Sequence, residues 1–301
     1  MASIPFDQRD GVIWYNGRLC PWAETKIHVL SHGLHYASSV FEGERVYGGT
    51  VYKLREHTER LIYSANVLGF SLPYSADQID AAHAEVLAAS GITDGYVRPV
   101  AWRGSEMMGV SAQQNSIHLA IAAWEWPSYF SPEARMAGIR LRISDWRRPD
   151  PRTAPVHAKA AGLYMICTLS KHKAESEGYH DALMLDWRGQ VAEATGANIF
   201  LLIDGKLHTP KPDCFLDGIT RRTVIGLARA RGLEVIERAI LPEEFAQADE
   251  VFLTGTAAEV TPVGEIGPYK FTPGQVCQAM IADYDAEVRR PVATPSTAAV
   301  A

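Results

Sequence analysis

The stretch "VAEATGANIF", residues 191–200, puts a glutamate on a β-rich run that leads into a small-residue turn and out again into a second apolar run. Glu193 at such a place can point its carboxylate into a cleft, although a glutamate on a strand more often faces water. The run continues as "NIFLLIDGKLHTP" and folds back at Asp204-Gly205, a dipeptide suited to a tight hairpin turn. Upstream, "DALMLD" and "GQVAEA" read as further strands, and "GIRLRISDWRR" as the strand that opens this half of the chain. Between them a helical pattern runs from about Ala161 to Glu177, with Met165, Leu169 and His172 at near-helical spacing. Downstream, "GITRRTVIGLARARG" reads as a helix ending at Gly232, and "DEVFLTGTAAEVTPV" as a buried strand entering a small-residue loop.

Working back to the start, "VIWYNGRL" and "RVYGGTVYKL" read as hairpins turning at Asn16-Gly17 and Gly48-Gly49. Two helices follow. In "SADQIDAAHAEVLAASG", Ser75 and Gln78 form a capping box, Ile79, Ala82 and Val86 share a face, and Gly91 is the stop. The strands "YVRPVAWRG" and "SIHLAIAAWEW" come next, then a punctuated connector. The class is α+β with much antiparallel pairing. Residues 1–126 are expected to form a small N-terminal domain, 127–137 an interdomain loop, 138–290 a larger domain, and 291–301 a flexible tail.

The chain has 301 residues, 47% of them apolar, so it can bury a sizeable core. A net charge of -6 and no basic stripe interleaved with aromatics argue against nucleic acid as a partner. Cys20, Cys167, Cys214 and Cys277 are far apart, which suits a reducing cytoplasm and neither a metal nor a disulfide scaffold. The N-terminus lacks an apolar core, and "LAIAAW" at 119–124 is far below spanning length, so no membrane association is expected.

The other residue that draws chemistry is Lys159 in "HAKAAGLYM". Burial among alanines and glycine disfavours an ammonium and frees an amine able to condense with an aldehyde. A lysine at a helix start with its head in water is the commoner fate.

A longer pattern decides between these readings. Glu193, Asn198-Ile199-Phe200, Leu207, Thr209, Leu216, Gly218, Ile219 and Arg221 together resemble the signature of the class IV aminotransferases, the pyridoxal-phosphate enzymes of fold type IV. The segments "SHGLHYASSVFEGERVY", "REHTERL", "YVRPV", "MMGV", "AKAAGLY", "EATGANIF", "GITRR" and "TGTAAEVTPV" stand in the order expected of branched-chain amino-acid aminotransferases, from about residue 10 to about residue 288.

The resemblance implies two α/β domains of the D-amino-acid-aminotransferase-like architecture, with pyridoxal 5'-phosphate bonded to Lys159. Tyr164 matches the residue on the cofactor's phenolic oxygen, and as part of a helix it would lie about one turn from the lysine. Glu193 matches the partner of the pyridine nitrogen. Arg60, Thr256 and the amides of Ile219 and Thr220 match the phosphate contacts, the last two at a helix start where unpaired donors favour an anion. For Arg60 alone, an ion pair with Glu56 is the plainer expectation.

Tyr96 and the amides of Thr256 and Ala257 match the holders of the substrate α-carboxylate. Phe41, Trp126, Tyr129 and Tyr164 match the aromatic walls, with Tyr36 and Val110 reaching over from the partner of a homodimer or higher assembly. Arg98 matches the residue for the distal carboxylate of glutamate. The implied reaction moves the amino group of leucine, isoleucine or valine to 2-oxoglutarate. Leu163 and Asp217 depart from the family's usual asparagine and proline, and Glu44 is an unusual neighbour for Arg45 at the pocket rim. Transamination of D-amino acids or (R)-amines, an aminodeoxychorismate lyase, and a protein that only stores the cofactor remain as alternatives.

Overall fold

The computed structural model describes residues 4–126 and 137–290. Expected features beyond them, namely the loop up to residue 136 with Tyr129 and the tail 291–301, lie outside the described residues. The first half opens with β1 (Val12–Tyr15) and β2 (Arg18–Pro21), joined at Asn16-Gly17, then α1 (His32–Tyr36) and β3 (Ser39–Phe41). β4 (Glu44–Tyr47) and β5 (Thr50–Val51) form the second expected hairpin, followed by α2 (Leu54–Val67), α3 (Ala76–Ser90), β6 (Gly95–Arg103) and β7 (Ile117–Glu125). The strands pair in the order β2-β1-β7-β6-β4-β5, with β3 also on β6, and every pairing is antiparallel.

Alternation of side chains across these strands gives the sheet one face for the two long helices. Val40, Val46, Leu119 and Ile121 bury against Leu61 and Ala65 of α2 and Ile79, Ala82 and Val86 of α3. The capping box forms as read: Ser75 Oγ accepts from the Gln78 N–H at 3.2 Å, and Gln78 Oε1 accepts from the Ser75 N–H at 2.8 Å. The opposite face carries Ile13, Tyr15, Val100, Trp102, Ala120 and Ala122 around an apolar concavity of about 400 Å³.

The second half contains β8 (Ile139–Ile143), α4 (Met165–Ser176), β9 (Asp181–Leu185), β10 (Val191–Ala194), β11 (Asn198–Ile203) and β12 (Lys206–Pro210). It continues with α5 (Ile219–Ala230), β13 (Val235–Arg238), β14 (Glu250–Gly255), β15 (Glu259–Ile266), β16 (Tyr269–Lys270) and α6 (Gln275–Val288). Pairing runs β10-β9-β8-β15-β14-β11, and β10 also pairs with β11 through Glu193 and Asn198, so six strands close into a barrel. Ile199, Leu201, Val251, Leu253 and Val263 fill one cluster, whereas the alternate residues Phe200 and Phe252 pack outward on α5 and α6. Tyr47, from the first sheet, sits in that outer cluster.

Two expectations change. The segment "EVTPV" is the start of strand β15 and not part of a loop; its Pro262 precedes Val263, the first residue paired with β8, so the missing N–H costs no bond on that side. The helix at 161–177 begins as a 3-10 turn over Ala161–Tyr164 and becomes α-helical only at Met165, with Gly162 weakening the first turn. Lys159 therefore precedes the helix, and Ala160 forms an isolated bridge with Val40.

Candidate active site

The cleft lies between β3 and β6 of the first sheet and the barrel residues Glu193, Asn198 and Gly255 at the strand ends. Lys159 is fixed through its backbone: its N–H donates to Ser64 Oγ of α2 at 2.9 Å, and its carbonyl accepts from the Phe41 N–H at 3.1 Å. The side chain is half-buried because the cleft opens onto it, and Nζ donates to Tyr164 Oη at 2.8 Å. Thus Lys159 and Tyr164 meet as expected, but across a bend into a 3-10 turn instead of along one helix. Burial, reinforced by the nearby Arg60 guanidinium, pulls the lysine pKa down to about 8. Burial raises the Tyr164 pKa, with the Glu193 charge adding to it.

Glu193 is buried at the barrel closure. Asn198 Nδ2 donates to its Oε2 at 3.3 Å, and Arg148 Nε lies 3.3 Å from Oε1. Burial pushes this carboxyl up to about 7, against the opposing pull of Arg148 and Lys159. Cys167, which receives an Arg148 N–H at 3.4 Å, is pushed by burial up to about 11 and stays a neutral thiol.

Arg148, Lys159, Tyr164, Glu193, Gly218, Ile219, Thr220 and Thr256 all line one narrow compartment of about 50 Å³, together with Arg60. Gly218 caps α5, so the first helical amides, those of Ile219 and Thr220, start at this compartment. A side chain on Gly218 would meet Asn198 Oδ1 at 2.2 Å, so glycine is required for this close approach. Asn198 Nδ2 also donates to the Leu216 carbonyl at 3.0 Å, linking the Glu193 end to the helix-start end.

Arg60 does not pair with Glu56, which turns instead to Lys53 at 3.0 Å and Arg222 at 3.1 Å. Its partner is Glu42, which accepts from Nε and Nη2 at 2.7 Å each and contacts His57 Nδ1 at 2.7 Å. Burial alone would raise the Glu42 pKa, but Arg60 and His57 hold it well below the usual carboxylate range.

The cleft widens to about 200 Å³ between Phe41, Gly43, Tyr96, Arg98, Lys159, Tyr164, Thr256 and Ala257. Arg98 Nη2 donates to Tyr96 Oη at 3.1 Å, and its guanidinium carbon sits 4.7 Å from the Phe41 ring centroid. A side chain on Gly43 would overlap the Tyr96 hydroxyl. Trp126 stands behind Tyr96, with ring centroids 5.6 Å apart. Tyr36, at the end of α1, and Val110, in the connection between β6 and β7, are exposed and do not line the cleft of their own chain.

Two departures read in the sequence leave the cleft intact. Asp217 turns to Arg221 at 2.9 Å and Arg222 at 3.5 Å. Glu44 is not at the pocket rim: strand alternation points it into the first sheet's core, 3.0 Å from His83 Nε2, while Arg45 faces the other way. Sequence reasoning assigned no role to Glu42, Arg148 or Asn198. Asn198 stood inside the quoted signature, but nothing in "DWRR" distinguishes the inward Arg148 from Arg147, and "FEGER" offers two glutamates with no sign of which faces Arg60.

The site fits a phosphorylated pyridoxal on its own geometry. A poised amine, a carboxyl at one end and a helix start at the other share one cleft, and the buried Thr254 Oγ1 on its wall has no hydrogen-bond partner among the described residues. The family described as Amino-transferase class IV matches residues 39–266. The branched-chain-amino-acid aminotransferase of Pseudomonas aeruginosa is 41% identical over 271 residues, 89% of this chain and 88% of that protein. Among solved structures, the branched-chain amino acid aminotransferase of T.th. with pyridoxamine 5'-phosphate aligns with a TM-score of 0.90 and 39% identity, covering 94% of this chain and 96% of that one. The same T.th. enzyme complexed with N-(5'-phosphopyridoxyl)-L-glutamate gives a TM-score of 0.89 and 38% identity, again covering 94% of this chain and 96% of that one. Cleft, signature and relatives agree, and the chain belongs to the class IV aminotransferases, in the branched-chain-amino-acid aminotransferase family.

Proposed function

We propose that this protein transfers the amino group of L-leucine, L-isoleucine or L-valine to 2-oxoglutarate, using pyridoxal 5'-phosphate held at Lys159. The observation that carries this is the placement of the Lys159 amine, 2.8 Å from Tyr164, in one compartment with Glu193 and the start of α5. When bound, the cofactor supplies an electron sink for the charge left at Cα when its proton departs. Lys159, with a pKa of about 8, can lose and regain a proton near neutrality, so it moves the proton at Cα. Glu193 holds the proton on the ring nitrogen, and Tyr164 orients the phenolic oxygen. Arg60, Thr256 and the Ile219 and Thr220 amides take the phosphate.

Tyr96 and the amides of Thr256 and Ala257 take the α-carboxylate. Phe41, Trp126 and Tyr164 wall the side-chain space, and Arg98 meets the second carboxylate of 2-oxoglutarate. The two separate sheets support a division into an N-terminal domain, 1–126, and a larger one, 138–290. The exposed Tyr36, Val110, Met107, Met108 and Leu34 are an apolar surface suited to a second copy, so a homodimer is proposed, with Tyr36 and Val110 completing the partner's pocket. No helix among the described residues is long and apolar enough to cross a membrane, and the four free cysteines suit the cytoplasm.

The test is a half-reaction panel on cofactor-loaded protein. L-leucine, L-isoleucine and L-valine should convert the cofactor's absorption to that of its amino form, and 2-oxoglutarate should restore it. Preference for D-amino acids or (R)-amines would reassign the donor, pyruvate release from 4-amino-4-deoxychorismate would favour a lyase, and no conversion by any donor would leave only storage.

A further inference from the structure

Strands β14 and β15 form a hairpin whose connecting residues, Thr256, Ala257 and Ala258, line the cleft, Thr256 in both compartments and the two alanines in the wider one. The next residue, Glu259, has φ +52. That is the left-handed region, which glycine enters freely and a residue with a side chain does not, and glycine is the usual occupant at such hairpin positions. A glutamate in this strained conformation calls for a use of its side chain.

The side chain reaches the first sheet. Tyr47 Oη donates to Glu259 Oε1 at 2.8 Å, and Arg45 Nη2 stands 3.9 Å from the same oxygen. Arg45 and Tyr47 are two positions apart on β4 and share one face. Both anchors are themselves fixed: Tyr47 is packed in the cluster of Phe200, Phe252 and Val260, and Arg45 Nη1 donates to the Trp126 carbonyl at 3.3 Å. At the far side of the turn, Thr261 Oγ1 donates to the Ala258 carbonyl at 2.6 Å.

We infer that Glu259 is a positioning residue: pinned across the interface of the two sheets by Tyr47 and Arg45, it holds the 256–258 turn in the shape that presents the Thr256 and Ala257 amides to a substrate carboxylate. This rests on the reading that those amides take the α-carboxylate. Glu259 itself lines neither compartment of the cleft. Its contribution is preorganisation, because a turn already in its binding shape loses less freedom when the anion arrives.

The experiment uses cofactor-loaded protein and the probe 4-methylpentanoate, leucine's skeleton without the amino group, with binding read from the change in cofactor absorption and stability from the thermal midpoint. Glu259→Gly frees the backbone and removes the anchor, so Kd for the acid should rise about tenfold or more while the midpoint holds or increases. Glu259→Gln keeps an acceptor for Tyr47 and should remain within about threefold of wild type. Tyr47→Phe should weaken binding in the same direction as the glycine variant. A wild-type Kd in Glu259→Gly overturns the inference, as does a parallel loss of binding and midpoint in both Glu259 variants, which would mark a purely structural role. If the wild-type protein carries cofactor but does not bind 4-methylpentanoate, the reading of the carboxylate site fails and takes this inference with it.

Discussion

Two carboxylates, Glu42 behind Arg60 and Glu193 on the wall of the cleft, are buried beside arginines, and they end in opposite states. Glu42 receives two N–H groups of Arg60 at 2.7 Å and contacts His57 at 2.7 Å, so it is locked as an anion. Glu193 has one Arg148 nitrogen at 3.3 Å and an Asn198 amide at 3.3 Å, and its pKa is pushed up to about 7. Burial is nearly the same for both. The difference lies in how many donors are close and aligned, because charge-assisted, bidentate hydrogen bonds outweigh desolvation where a single long contact does not. Glu42 is thereby a fixed charge that orients Arg60, and Glu193 is an under-satisfied carboxyl with capacity for one more cation. A protonated ring nitrogen would fill it.

Lys159 stands between the two: burial lowers its pKa, the Glu42 charge opposes that fall, and its own charge acts in turn on Glu193. Replacing it removes the group on which both halves of the comparison converge: Lys159→Ala should lower steady-state turnover by about 10⁴-fold or more, measured as glutamate formation. Next in size, Glu193→Gln keeps shape but loses the charge proposed to hold a proton on the ring nitrogen, and kcat should fall about 10²- to 10³-fold while the protein still retains cofactor after desalting. Glu42→Gln removes a charge that props up the Lys159 pKa, so the pH profile of cofactor capture should move to the acid side of wild type. In the wild type that profile should climb as pH rises through about 8, because the attacking amine is the neutral form.

The smallest effect is on stability. With Glu193 at about 7 in the folded, unloaded chain against 4.5 in its ordinary state, the folded state binds the extra proton between those values. Stability therefore declines as pH rises from 4.5 to about 7, and the thermal midpoint of Glu193→Gln should lack that part of the slope. An unchanged slope would mean that Glu193 titrates normally and that the contrast with Glu42 is absent.

The chain's pattern announced this site unevenly. Turns and caps carry their own chemistry, so Asn16-Gly17, Ser75 with Gln78, and Gly232 were legible locally. The Lys159–Glu193 pairing was legible only through the spaced signature, since 34 positions separate two types that are common on surfaces. Strand β13 lacks alternation in "VIER" and exists because β12 offers a parallel edge, and β15 hides behind Pro262, whose missing N–H costs no bond on the β8 side, where pairing begins at Val263. Glu42, Arg148 and Glu259 were illegible for a shared reason. Each acquires its role from a residue at least 18 positions away, a contact that only tertiary packing decides.

The central claim is tested most directly by following ¹⁵N from L-leucine in cofactor-loaded protein with 2-oxoglutarate present. The account predicts ¹⁵N-glutamate and 4-methyl-2-oxopentanoate in equal amounts, falling about a hundredfold in rate in Glu193→Gln. Wild-type protein that forms no ¹⁵N-glutamate, or a Glu193→Gln variant that forms it at the wild-type rate, would contradict it.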